Sequence, residues 1–243
     1  MKRITLLAIA WMVAGISATF AQNAADLLKK MDNVIYAPKD QKVKLKIIIY
    51  DKNGKQKIRK ADSKQMGSDY RLMRFTEPAS QRGIAFLSLP NNIMYVYLPA
   101  FKKERRIAGH VKTQNFAGTD FSYEDLESKP YSEKYNPVSA KTTSDGYILE
   151  VTPKDKNSAY SKLVITLFKN NYYPKKVEYY DKKGRLTKVM TNKKVEKIGK
   201  YWTSTDFVME NRTKKTKTEM IFENITFDNG FTKDDFSVRK LVQ

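Results

Sequence analysis

The sequence predicts a mainly β protein, a strongly curved antiparallel sheet with helices over its concave side. Three observations carry this. Apolar residues alternate with polar ones along run after run, the period of a strand with one buried face. Short turn signals join the runs, and strands joined so closely must pair antiparallel with their neighbours. About eleven such runs follow one another, more than a flat sheet carries without curling.

The 243 residues open on a secretory pattern. Lys2 and Arg3 form a positive start, Ile4 to Val13 an apolar stretch too short to span a bilayer, and Ala18-Thr19-Phe20-Ala21 a small-residue cleavage region. Residues 1–21 therefore read as a signal peptide cleaved near Ala21, which places the mature chain in a periplasm. Cysteine is absent, so there is no disulfide framework and no thiol to lipidate, and the chain is not itself a lipoprotein. The formal charge of +20 attracts polyanions. Export argues against nucleic acid and leaves an anionic membrane surface as a partner, beside the plainer reading that lysines keep sheet edges apart. Composition does not shift along residues 22–243 and no period repeats, so they read as a single, monomeric domain.

Taken in order, Ala24 to Tyr36 spaces Leu27, Leu28, Met31, Val34 and Ile35 as an amphipathic helix, with Asn23 placed to cap it. From Gln41 the period becomes two, with Val43, Leu45, Ile47 and Ile49 on one face and Lys44 and Lys46 on the other. Asp51-Lys52-Asn53-Gly54 turns the chain into a polar strand reaching about Gln65. A third strand runs from Tyr70 through Leu72 and Arg74 to Phe75, and Glu77-Pro78-Ala79-Ser80 breaks it. Ile84–Leu89 and Ile93–Leu98 flank Pro90-Asn91-Asn92 as a hairpin apolar on both faces, which needs cover on both sides.

Basic pairs follow at Lys102-Lys103 and Arg105-Arg106. Ser122-Tyr123-Glu124-Asp125 then fits a capping box opening a short helix. Pro130 and Pro137 bracket an irregular connector. Strand runs resume at Tyr147–Thr152, Lys162–Phe168, Lys175–Tyr180, Arg185–Val195, Tyr201–Glu210 and Lys215–Asn224, separated by turns such as Asp181-Lys182-Lys183-Gly184. Phe231 and Phe236, set around charged residues, are placed to close one edge of the sheet.

Chemistry-bearing groups are sparse. The single histidine, His110, sits in a polar connector with no serine-centred motif beside it and reads as a surface residue. Gly83, Gly109 and Gly118 are too isolated to form a phosphate loop. Asp120, Glu124 and Asp125 are the best acidic cluster. They fit a hard-metal or acid–base site, or helix caps and ion-pair partners for Arg105 and Arg106, and the cap at Ser122 favours the latter. No cofactor is implied and the chain does not read as an enzyme. Aromatics crowd the region (Tyr95, Tyr97, Phe101, Phe116, Phe121 and Tyr123), suiting an apolar groove or a core.

Phe75 to Pro78, Arg82-Gly83, Met94-Tyr95-Val96-Tyr97-Leu98-Pro99, Arg105-Arg106-Ile107 and above all Gly118-Thr119-Asp120-Phe121-Ser122-Tyr123-Glu124-Asp125 resemble the outer-membrane lipoprotein-sorting protein family, the LolA-like periplasmic carriers. The resemblance covers nearly the whole mature chain. It implies an incomplete β-barrel, lidded by helices, that holds acyl chains of lipoproteins or other lipids and passes them from an inner-membrane donor towards an outer-membrane acceptor. Candidate lining residues are Leu45, Ile47, Ile49, Leu72, Phe86, Met94, Val96, Leu98, Phe116 and Phe121, each equally a plain core residue. Candidate latch residues are Arg82, Arg105, Arg106, Asp120, Glu124 and Asp125. Two other readings stay open: a non-catalytic envelope protein-interaction or lipid-sensing module with this fold, and a lipid-modifying hydrolase built on the acidic cluster.

Overall fold

The computed structural model describes residues 23–243; the signal-peptide reading falls outside them. A helix, α1, covers residues 23–35. Asn23 is already helical, so it is not the cap. No described helix is long and apolar enough to cross a membrane.

Among the described residues the sheet has 13 strands. β1 (Asp40–Tyr50), β2 (Gln56–Met66), β3 (Tyr70–Glu77), β4 (Ala85–Leu89), β5 (Ile93–Leu98) and β6 (Lys103–Arg106) form one meander. The other consists of β7 (Tyr135–Thr142), β8 (Gly146–Pro153), β9 (Tyr160–Phe168), β10 (Pro174–Asp181), β11 (Leu186–Ile198), β12 (Tyr201–Asn211) and β13 (Thr216–Phe227). Antiparallel pairing of β1 with β13 joins the two, so β6 and β7 are the free edges of a curved, unclosed sheet. Those are also the two strands the sequence pattern does not show. An edge strand has little apolar alternation to display: β6 is exposed along its length, and β7 carries Pro137, whose missing N–H is tolerable only beside solvent. The bracketed connector is thus a short helix, α3 (Tyr131–Lys134), leading into that strand.

Direct pairing puts residues on a common face. Val43, Ser63, Met73, Phe86 and Val96 form one row across β1 to β5 on the concave side. There the main core collects, and it includes Leu27, Leu28 and Met31 of α1. The chain from β6 to β7, residues 107–134, crosses the open side and carries α2 (Tyr123–Leu126), capped by Ser122 and Asp125 in the box the sequence announces. On the convex side Leu72, Ala85 and Leu87 make a second cluster with Phe236 and Leu241. The C-terminal segment, ending in α4 (Val238–Val242), therefore covers the convex face and reaches the edge strand β6 without pairing to it.

Candidate functional site

Beneath the 107–134 segment the concave side keeps a cavity of two adjoining lobes, each about 190 Å³. One is apolar, lined by Val43, Leu45, Met73, Phe86, Phe121, Leu126 and Met220. The other is rich in tyrosine, with Tyr36, Tyr131, Tyr173 and Tyr179. Both are bordered by Gln41, Gln65, Arg71, Asp125, Met190, Phe207 and Phe222. Burial pushes the Tyr131 hydroxyl up to about 12 and the Tyr179 hydroxyl up as well, so these phenols are neutral. A larger recess of about 420 Å³ outside the lid is lined by charged groups such as Lys112, Glu127 and Lys134. These pair with one another, at 2.9 Å for Lys112–Glu127 and 3.5 Å for Lys134–Glu127, and offer an apolar chain no gain on leaving water.

Of the lining residues read from sequence, Leu45, Phe86 and Phe121 border the apolar lobe. Ile47, Met94, Val96 and Phe116 are buried in the surrounding core, and Ile49 and Leu98 pack at its margin. Leu72 points the other way. On β3 it is Arg71, Met73 and Phe75 that pair with the inward residues Gln65, Ser63 and Ala61 of β2, which turns Leu72 to the convex cluster.

The acidic residues bond to β9, β11, β13 and the β8–β9 connection, and not to the arginines assigned to them. The Asp120 carboxylate accepts from Thr216 and from Thr218 at 2.9 Å. Glu124 accepts from the Ser158 hydroxyl and from the Ala159 backbone N–H at 3.1 Å. Burial pushes the Glu124 carboxyl up in spite of those bonds. Asp125 accepts from Lys188 at 3.0 Å and from the Tyr160 hydroxyl at 2.8 Å. Burial works to raise Asp125 too, but Lys188 and the hydrogen bonds outweigh it and hold the carboxyl below its ordinary value.

Arg82, Arg105 and Arg106 form no ion pair with these groups among the described residues. Arg82 is exposed and donates to the Thr76 carbonyl, and Arg105 lies over the Phe101 ring. On this side the cationic partners are instead Arg59 and Arg71, inward on β2 and β3. Arg59 donates to the carbonyl of Ala117, a residue held at φ 46°. Arg71 donates to the carbonyl of Leu126 at 3.1 Å. The lid is thus tied to both halves of the sheet. The charge of these arginines is plain in the sequence, but the inward parity of Arg71 emerges only from the pairing of β3 with β2.

Among the described residues no three histidine or carboxylate groups converge to hold a metal ion. A family model described only as an uncharacterized protein matches residues 67–243. No curated protein matches significantly. Among solved structures, a domain assigned to outer membrane lipoprotein sorting from Vibrio parahaemolyticus is 30% identical, with 92% of this chain and all of that one covered at a TM-score of 0.85. A DUF1329 family protein from Desulfovibrio piger is 29% identical over 91% of this chain and 98% of that one, at 0.84. A LolA superfamily protein from Nitrosomonas europaea, 20% identical over 91% of this chain and 99% of that one at 0.75, shares the fold.

Proposed function

Because this chain belongs to the outer membrane lipoprotein-sorting protein family, we propose that it is a non-enzymatic periplasmic carrier that takes an acyl chain into the cavity beneath the lid and releases it towards the outer membrane. The observation that carries this reading is the cavity itself, apolar on one side and roofed by a segment that is tied by polar contacts and buries Phe116, Phe121 and Leu126. Neither lobe alone reaches the roughly 300 Å³ at which ligand pockets begin, so loading a long chain requires the 107–134 segment to move. The energies suit a reversible exchange. Each buried CH₂ contributes roughly 0.8 kcal/mol, so about ten of them supply roughly 8 kcal/mol. Hydrogen bonds to charged groups, such as those of Arg59, Arg71, Asp120 and Asp125, are worth about 1.5–3 kcal/mol apiece. Breaking several to admit one chain leaves a modest net gain, which an acceptor can reverse. The domain of residues 22–243, with export under residues 1–21, acts alone in this reading, and its donor and acceptor are the two membranes' own components.

The test is detergent-free purification of the exported protein, followed by native mass spectrometry and lipid extraction. Acyl lipid should co-purify at a defined stoichiometry. Protein free of lipid that also fails to bind a fluorescent acyl probe overturns the proposal.

A further inference from the structure

Arg71 stands where the two lobes meet, bordering both. Among the described residues its hydrogen-bond partners are neutral oxygens. Nε and Nη2 donate to the Gln65 side-chain oxygen at 3.2 and 2.8 Å, and Nη1 donates to the Leu126 carbonyl. A guanidinium has five N–H groups, so Nη1 and Nη2 each keep one that these bonds leave free. Among the described residues no carboxylate pairs with it: Asp125, which shares the lining, is taken by Lys188, and Glu127 by Lys112 and Lys134. The phenols nearby are neutral. Burial pulls the pKa of Arg71 down, yet a guanidinium stays charged, so the cavity holds a cation without an anion. That is a costly arrangement unless something supplies the missing charge.

We propose that the cavity is selective for a single-chain amphiphile with an anionic head, a carboxylate or phosphate, whose head pairs with Arg71 and whose tail enters the apolar lobe. This rests on the carrier reading and narrows its cargo. Planar bidentate pairing to an oxyanion is what two neighbouring guanidinium N–H groups favour. The size fits one chain. At about 30 Å³ for a water-sized group, the two lobes together take about a dozen such groups, enough for one decyl chain and too few for the two chains of a diacyl lipid. Since Nη1 also holds Leu126, an anion at Arg71 competes with the lid for the same cation, which couples loading to opening.

The experiment measures displacement of a fluorescent acyl probe from the mature protein by decanoate and decyl phosphate, each below its micelle concentration, and by decanol below its solubility limit. Both anions should displace the probe at concentrations at least about tenfold lower than decanol. The preference should survive about 0.5 M salt, which screens attraction by the exposed lysines but not a buried pair. Arg71→Gln should erase it and leave decanol binding in place. Equal binding of decanoate and decanol, a preference lost in salt, or one retained by Arg71→Gln overturns this proposal alone. Failure of every chain and of the probe overturns the carrier reading as well. Should Arg71→Gln fail to fold, the salt comparison on the unaltered protein decides the matter.

Discussion

β3 is covered on both faces by segments that fold back over it, and an arginine fastens each cover to the strand. Arg74 points outward and donates to the carbonyls of Lys240 and Leu241 in α4, at 2.7 and 2.9 Å. Arg71 points inward and donates to the carbonyl of Leu126. The covers differ in what lies beneath. Under the C-terminal segment Leu87, Phe236 and Leu241 are sealed against one another. Under the lid, Met190, Phe207 and Phe222 keep surface facing the cavity. One cover completes a core, and its removal exposes apolar surface with nothing to replace it. The other combines polar anchors with the buried Phe116, Phe121 and Leu126 over a cavity, so a chain that enters can replace the apolar contacts its opening gives up.

The largest expected effect is therefore on the outer cover, where no ligand is involved. Phe236 is 2% exposed, with its ring 5.6 Å from that of Tyr70 and 6.2 Å from that of Phe231. Phe236→Ala should cost about 3–5 kcal/mol in urea unfolding. Acyl-probe affinity of the folded fraction should not change. A parallel loss of probe binding breaks the distinction between the two covers.

Most of this architecture was legible from period and turns: eleven of the strands, α1, and the Ser122–Asp125 cap. What escaped did so for physical reasons. β6 and β7 bury too little to show a pattern. Leu72 and Arg71 are neighbours on a strand with apolar cover on both faces, so composition cannot say which is inward, and only pairing with β2 settles it. Arg105 and Arg106, conspicuous as a pair, form no ion pair with the lid among the described residues, whereas the arginines in contact with it stand singly on β2 and β3. Their charge is legible in sequence but their burial is not.

Next in size is the pair on β3 itself. Arg74→Met removes two hydrogen bonds from a charged donor and should destabilise the fold by about 2–3 kcal/mol. Arg71→Met removes the bond to Leu126. It should raise amide exchange across residues 116–131 by about 10-fold or more while leaving β1 and β13 protected to the global limit. Uniform acceleration in both variants would mean that the lid and the C-terminal segment are equally integral to the fold.

A smaller effect separates the covers by pH. Glu124 in the lid has its carboxyl pushed up by burial. A carboxyl raised on folding is penalised while ionised. The penalty is full above its folded pKa and lifts as pH falls through that value towards the ordinary 4.5. Glu124→Gln should therefore gain most on the unaltered protein near pH 7.5, and the gap in urea midpoint should close as pH approaches 4.5. Asp125, held below its ordinary 3.8, does not contribute in that window. A gap that stays constant with pH means Glu124 is not desolvated where the lid closes on the β8–β9 connection.

The smallest effect belongs to the basic edge strand, where neither arginine side chain forms an ion pair with a cover among the described residues. Arg105 and Arg106 lie exposed on the edge strand β6, beside Phe101, which is 61% exposed. Replacing both with alanine should change stability by no more than about 0.5 kcal/mol and leave amide exchange in the lid as it was. What should change is attraction to a charged surface. Each basic residue near an anionic bilayer is worth about 1 kcal/mol, so binding to vesicles rich in anionic lipid should weaken severalfold to tens-of-fold at low salt, and the difference should vanish at about 1 M salt. If the double variant instead accelerates exchange at residues 116–131, the edge arginines do restrain the lid, and the division of labour between Arg59 with Arg71 and the basic edge must be redrawn.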